Sequence, residues 1–394
     1  MIFVALTLCV PATWVMLILC YLKPLLARWR EPVLQHPVLV LESDDWGAGP
    51  ESQAEALDSI AETLACHRDA SGAPAVMTLG LVLACPRASA TPELVLETLQ
   101  EPSQAANLSA IRAGIRQGVF SPQLHGMCHF EPTVIAGTGM AWPVAGEAVW
   151  TETLPDALQS SLVDGRTLPT QALPFGVVED SIRQQADLWQ TLFGTRPQVA
   201  VPTTFIWTDA AEQAWRKQGV RWLVTPGRRA TRRDEQGRPS GVDRQYLAGQ
   251  RTDGGLMCLV RDVYFEPARG HDPVSVVAAT RQRFALGRSA LIEIHRGNFV
   301  GPAAAPDSLA KLEIFLAQIR RTVPDIRFVS SASLGAGLAS GDPAWVLWGL
   351  RRRLPFFVRR TREIPGFRRL ARYSGLGFFM DLTARLVQGR PKPP

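Results

Sequence analysis

Two adjacent carboxylates, Asp44 and Asp45, interrupt the apolar run VLVLES where a strand would end. Neighbouring like charges that leave water cost free energy unless a cation or strong donors compensate them. Three histidines stand in comparable places: His125 and His129 in PQLHGMCHFEP, and His295 at the end of ALIEIH. Two imidazoles four residues apart can face one cation, and one carboxylate completes three ligands while leaving a position open for water. H-x-x-x-H by itself is a weak signal, because a packed or hydrogen-bonded pair has the same spacing. The Asp pair gives it weight. A divalent ion lowers the pKa of a bound water toward about 7, so one Asp serves as ligand and the other as base beside it. His295 would then protonate a leaving amine. The other three of the six histidines, His36, His67 and His271, read as structural or solvated.

Such groups need a frame. Between residues 38 and 335, apolar runs of strand length alternate with amphipathic ones. VLVLES leads to the helix ESQAEALDSIAETLACH, then AVMTLGLVLA, then a helical stretch from about Thr91 to Gln117, then PQLHGM. A variable region rich in Gly, Pro and Thr runs to about Phe175. Helices VVEDSIRQQADLWQTLFG, DAAEQAWRKQG and DPVSVVAATRQRFALG precede the strands QVAVP, RWLVTP and ALIEIH. This alternation predicts a parallel sheet or barrel with helices outside. Functional groups of such folds collect at the carboxyl ends of the strands, where Asp44/Asp45, His125/His129 and His295 all stand. The Gly/Arg-rich segment 227–245 reads as an exposed loop or hairpin.

The chain of 394 residues, 46% hydrophobic, has ample material for a core. Residues 2–22 contain no charge, long enough for a transmembrane helix at about 1.5 Å rise per residue, kinked near Pro11. A cleaved signal peptide is the competing reading, but no Lys or Arg precedes the apolar run and no clean cleavage site follows it. Lys23, Arg28 and Arg30 follow the run, so the positive-inside bias places the body on the cytoplasmic face of the inner membrane, with a periplasmic body as the alternative. From Trp345 to Pro394 there are 12 Lys/Arg against Glu363 and Asp381, whereas residues 1–344 carry 30 against 34. Basicity therefore belongs to a tail in which arginines alternate with Trp and Phe, the mixture expected at an anionic membrane surface, and not to a nucleic-acid-binding body. Six cysteines without a CxxC pair or a dense framework, two of them in the apolar amino-terminal run, argue against a disulfide scaffold and fit a reducing compartment. The partition is an anchor and basic flank over 1–30, an α/β domain over 36–335, and a basic aromatic segment over 345–394.

In order, Asp-Asp after the first strand, H-x-x-x-H after a middle strand and a late strand ending in His resemble the polysaccharide deacetylases of the NodB-homology type, carbohydrate esterase family 4. The resemblance covers roughly residues 36–335. It implies a distorted (β/α)₇ barrel that removes N-acetyl or O-acetyl groups from sugars with a divalent ion, Zn²⁺ or a similar ion such as Co²⁺. By position it implies Asp44 as the base, Asp45, His125 and His129 as the ligands and His295 as the acid. The partners it implies are an acetylated polysaccharide or lipid-linked sugar at the membrane and proteins of polysaccharide biosynthesis.

Departures from the family pattern mark a divergent branch. Glu42, Ser43 and Trp46 stand where the family has Thr-Phe before and Gly after its Asp pair, and Gly126 replaces a Ser/Thr. Val201-Pro202-Thr203-Thr204 occupies the place of Arg-Pro-Pro-Tyr/Phe, so the arginine that orients the base is missing there; Arg261 and Arg296 are the candidates to replace it. Glu293, two residues before His295, shares its face of the strand and either orients the histidine, lines the pocket or pairs with a barrel arginine. Phe265-Glu266-Pro267 and Asn298 are expected to line the cleft, and Trp46 to narrow its entrance. The missing arginine also keeps open a catalytically inactive barrel acting as a sugar-binding or scaffold subunit. Deformylation or O-acetyl removal would use the same groups as N-deacetylation.

Overall fold

The computed structural model describes residues 2–88, 94–131, 154–301 and 307–388. Nine parallel strands form one sheet: β1 (Val38–Gly47), β2 (Met77–Val82), β3 (Phe120–Gly126), β4 (Val199–Ala200), β5 (Trp222–Thr225), β6 (Met257–Val260), β7 (Val263–Tyr264), β8 (Ala290–His295) and β9 (Arg327–Phe328). Their order is β6-β5-β4-β3-β2-β1-β8-β7, with β9 also paired to β1. The two edge strands, β6 and β7, are consecutive in the chain and separated only by Arg261 and Asp262. The three Cα–Cα steps from Val260 to Val263 span at most about 11 Å, so the sheet must curl until its edges nearly meet. The result is a half-barrel whose seam is closed by covalent chain and not by a ladder of hydrogen bonds.

Period-two alternation sorts the strand residues into two layers. One set, including Leu39, Leu41, Met77, Leu79, Ile292 and Ile294, packs outward under the helices Gln53–Cys66, Ala105–Gln117 and Ser308–Thr322. The other set faces inward. Val38, Val40 and Leu291 fill one end of the interior with Val224 and Leu259, plugged by Leu34 and Leu334. Along the same faces come Glu42 and Glu293, then Asp44 and His295, which are paired in register on β1 and β8. The interior thus grades from apolar to ionisable toward the carboxyl ends of the strands.

Two local expectations are corrected. Residues 84–88 and 94–98 form an antiparallel hairpin, and the helix begins only at Ala105. LVLET supplies the apolar, β-branched alternation of a strand, and Pro102 opens the turn before the helix. Segment 227–245 folds as two short ribbons, Arg228–Arg229 with Arg244–Gln245 and Arg232–Arg233 with Pro239–Ser240. It is not wholly exposed, because Arg229 and Arg233 are buried. The variable region expected before Phe175 lies in part, over 132–153, outside the described residues.

At the amino terminus, α1 (Ile2–Cys20) runs through Pro11, and the turn falls at Tyr21 before α2 (Leu22–Arg30). Among the described residues no single helix is long and apolar enough to cross a membrane; Val10–Cys20 and Leu22–Arg30 pass that test only together, and they are bent by 72°. The expected single spanning helix is therefore not supported. Packing explains the bend: Trp14 donates to the Ser374 carbonyl at 2.8 Å, and Tyr21 meets Phe367 edge-on. Both partners belong to three carboxyl-terminal helices, Leu350–Arg360, Pro365–Tyr373 and Leu376–Gln388, which with α1 and α2 form a helical cap around Leu17, Leu25, Phe367, Ala371 and Leu376. Several tail arginines are structural. Arg360 is buried and donates to the carbonyls of Leu286, Glu31 and Pro32, each at 2.8 Å, while Arg288 pairs with Glu31 and Glu363. These contacts fasten the cap just ahead of β1 and β8, at the end of the barrel remote from Asp44 and His295.

Candidate metal centre

Adjacent strand residues point to opposite faces, so Asp44 and Asp45 can converge only if the backbone departs from a strand. It does so at Asp45, which has φ of 72°, and the register between β1 and β2 shifts between Ser43 and Trp46. The bulge turns both carboxylates toward the carboxyl end of the sheet. Asp45, Thr204 and Phe205 are the non-glycine residues with positive φ among those described, and all three line one cavity of about 550 Å³. Backbone strain of this kind costs on the order of 1–3 kcal/mol per residue and persists where surrounding structure enforces it.

Asp45, His125 and His129 each offer one donor atom, and those atoms lie within 4.8 Å of one another. His125 Nε2 and His129 Nε2 stand 3.4 and 3.3 Å from Asp45 Oδ1. His125 Nδ1 is 2.9 Å from the Val201 carbonyl, which can only accept, so Nδ1 carries a proton and Nε2 is the atom left for an ion. Asp45 Oδ1 and His125 Nε2 are buried and have no hydrogen-bond partner among the described residues. Orphaned, converging acceptor atoms fit a divalent cation, and a mixed N/O set of three fits a catalytic Zn²⁺-type site with an open position. Burial would raise the Asp45 carboxyl, but His129 and His125 hold it far below the usual range. Burial keeps His129 neutral, at about 4, whereas Asp44 and Asp45 overcome burial and raise His125. Gly126 has φ of +137°, and a Cβ there would lie 2.9 Å from the Cys128 carbonyl oxygen, so this loop needs the glycine that departs from the family pattern.

Asp44 is held from the other side. Arg261, from the seam between β6 and β7, donates to Asp44 Oδ2 at 2.6 Å and lies with its guanidinium 5.0 Å from the Phe205 ring centre. Its Nε also stands 3.6 Å from Glu42 and 3.4 Å from Glu293. One buried arginine cannot neutralise three buried carboxylates, so they divide. Burial would raise Asp44, but Arg261, His125 and His295 keep it ionised. Burial dominates at Glu42, pushed up to about 7, and at Glu293, also raised. Gly80 on β2 supplies the room: a Cβ there would fall 2.3 Å from Asp44 Oδ1.

His295 stands opposite. Its Nδ1 is 2.7 Å from Glu266 Oε1, and Asn298 Nδ2 donates to Glu266 Oε2 at 2.6 Å and to the His295 carbonyl at 2.9 Å. Glu293 lies farther off, 3.7 Å from Nε2, so the carboxylate that orients the ring is Glu266. Burial works against the imidazolium, but the Glu266 hydrogen bond, with Asp45 and Glu293, lifts it to about 9. His271, expected to be structural or solvated, accepts the Glu266 backbone N–H at 3.2 Å and so braces this carboxylate's loop.

Of the residues singled out from the sequence, Asp44, Asp45, His125, His129, Arg261, Glu266, Glu293, His295 and Asn298 line the cavity, while Trp46, Phe265, Pro267 and Arg296 do not, Phe265 being buried in the sheet–helix core. Trp46 is fully buried in the sheet–helix core, donates to Ser43 Oγ at 2.8 Å and faces Phe299, so it does not shape the entrance. The bulge at Asp45 sends the following side chain to the outer face. Arg296 is buried with Nη1 3.5 Å from Gln53 Oε1, and of the two candidate arginines it is Arg261 that meets Asp44.

No family model and no curated protein matches the sequence. Solved structures with a similar fold do. A family 4 carbohydrate esterase from Streptomyces lividans in complex with acetate is 12% identical, with 74% of this chain and 91% of that one covered at a TM-score of 0.35. A putative polysaccharide deacetylase from Mycobacterium smegmatis gives 9%, 79%, 92% and 0.42, and the peptidoglycan deacetylase PdaC from Bacillus subtilis 10%, 80%, 95% and 0.38. At such distances the chemistry has to be read from the residues themselves.

Proposed function

We propose that this protein is a metal-dependent hydrolase that removes acetyl groups, foremost N-acetyl groups, from an amino sugar in a polysaccharide or on a lipid carrier. The observation that carries the reading is the convergence of the Asp45, His125 and His129 donor atoms within 4.8 Å, between an ionised Asp44 and a His295 held cationic. A divalent ion bound there supplies Lewis acidity toward the acetyl carbonyl and acidifies a water. Asp44 takes the proton from the attacking water, and the Arg261 hydrogen bond keeps it available as a carboxylate. His295 gives its proton to the departing amine, and Glu266 fixes the ring in the orientation for that transfer. The inactive-scaffold alternative rests on the missing motif arginine, and the hydrogen bond from Arg261 to Asp44 supports the active reading over it.

The test is acetate release from acetylated chito-oligosaccharides after stripping with a chelator and adding back Zn²⁺ or Co²⁺. Activity should fall at least about a thousandfold on stripping and return with metal. His125→Ala should abolish both metal content, by elemental analysis, and turnover. A folded His125→Ala protein that kept stoichiometric metal would sink the ligand assignment.

A further inference from the structure

The helical cap carries an apolar surface that the barrel does not cover. Between α1–α2 and the carboxyl-terminal helices lies a groove of about 420 Å³, lined by Ile18, Leu22, Leu26, Leu350, Phe379 and further apolar residues, with Thr383 the lone polar side chain among them. The same helices carry further apolar side chains that stand in solvent: Met16 is 65% exposed, Leu19 61%, Phe378 75% and Leu386 74%. Exposed apolar side chains gathered on neighbouring helices beside an apolar groove mark a surface that a partner covers.

Charge says what covers it. Among the described residues of the cap, 10–30 and 350–387, every exposed charged side chain is basic: Lys23, Arg30, Arg351, Arg352, Arg362, Arg369, Arg372 and Arg385. The two acids, Glu363 and Asp381, are less exposed and engaged by Arg28 and Arg288 and by Arg368. In the sequence, residues 1–30 and 345–394 together hold 15 Lys/Arg against 2 Asp/Glu, whereas 31–344 hold 27 against 34. An anionic surface therefore attracts the cap and repels the barrel. A second copy of the chain would bring the same cations face to face, and a nucleic acid would leave the apolar groove exposed. A surface with anionic headgroups above hydrocarbon satisfies both features at once.

We infer that the cap is an interfacial docking device for an anionic phospholipid bilayer, in which the groove takes acyl chains and the arginines take headgroups. The bent α1–α2 pair lies against the carboxyl-terminal helices as part of this surface. Docking fixes orientation, since the cap is fastened ahead of β1 and β8 and the cavity opens at the other end of those strands. The inference is independent of the deacetylase reading, and neither falls with the other.

The experiment is flotation of the purified full-length protein with vesicles of phosphatidylcholine alone or mixed with phosphatidylglycerol. The protein should float with the mixed vesicles, at least about tenfold less with neutral ones, and progressively less as salt is raised. Leu26→Asp with Phe379→Asp should abolish flotation while the thermal unfolding transition is retained. Arg351→Glu with Arg372→Glu, at exposed positions, gives a second variant set should the first fail to fold, and should remove the preference for anionic lipid. Equal flotation with both vesicle types, flotation unchanged in the charge-reversed protein, or a stable soluble dimer by light scattering that does not float would overturn the proposal.

Discussion

At the carboxyl end of β1, Asp44 and Asp45 are buried among histidines, glutamates and an arginine; beyond its amino end, Met16 and Leu19 stand in solvent on a cap whose exposed charges are basic. The first region hides charge and the second exposes hydrocarbon, so each inverts the usual partition of side chains. Each arrangement is costly in the isolated chain, and the partner proposed for each, a cation in one case and a lipid surface in the other, would relieve it. The difference lies in how rigidly the partner is anticipated. The barrel end uses strained backbone, a fixed imidazole tautomer and a glycine cut to fit a carboxylate, all of which select geometry. The cap uses area and net charge, which select only a kind of surface.

Arg261 gives the largest expected effect on this contrast, because it holds the hidden charges together. Arg261→Met leaves Asp44, Glu42 and Glu293 without their shared cation in a buried setting, and removing one partner of such a network typically costs about 3–5 kcal/mol. Urea unfolding should show that loss, with acetate release falling in parallel. Arg351→Met, on the exposed cap, should change stability by less than about 0.5 kcal/mol. Similar losses at the two positions would erase the distinction between a selected geometry and a selected surface.

Glu266 comes next and acts through another residue. Glu266→Gln leaves the ligand set in place but removes the charge that orients and ionises His295, and so forfeits part of a general-acid contribution of about 10²–10⁴-fold. The drop should appear in kcat with KM and metal content unchanged. The sign of the pH effect follows from the raised value: His295 is protonated below about 9, so activity is lost as pH rises through that value. Without Glu266 the alkaline limb of the pH–rate profile should move to lower pH. A limb that stayed in place would reduce Glu266 to a structural brace.

How much of this could be read from the chain follows the range of the interactions. Asp45, His125, His129 and His295 were legible because each sits at the end of a recognisable apolar run, and parallel α/β folds gather such ends. The positions of Arg261 and Glu266 depend on strand order: Arg261 is at the seam because β6 and β7 are opposite edges of the sheet, and Glu266 reaches His295 because β7 pairs with β8. Nothing local marks either fact. Trp46 was misplaced because one left-handed residue before it reverses the alternation on which inward and outward are counted. At the amino terminus, apolar length and composition were legible, whereas the break at Tyr21 comes from contacts more than 300 residues away in sequence, Tyr21 with Phe367 and Trp14 with Ser374.

Glu42 shows how far the barrel end yields to burial, and its effect is the smallest and the most specific in sign. It lies on the inner face between the apolar layer and Asp44, accepts a hydrogen bond from Ser331 and is raised from 4.5 to about 7 chiefly by burial. Between those two pH values the folded protein keeps a proton that the unfolded chain has released. Stability then falls as pH rises, with a slope approaching one proton per molecule, and levels off above about 7. Glu42→Gln keeps a side chain of the same shape that can still accept from Ser331, and it removes the titration. Urea unfolding of the two proteins at a series of pH values should give curves that diverge between pH 4.5 and 7, with the variant the more stable at the upper end. Parallel curves would mean that Arg261 compensates Glu42 as fully as it does Asp44, and that the three carboxylates share the charge evenly.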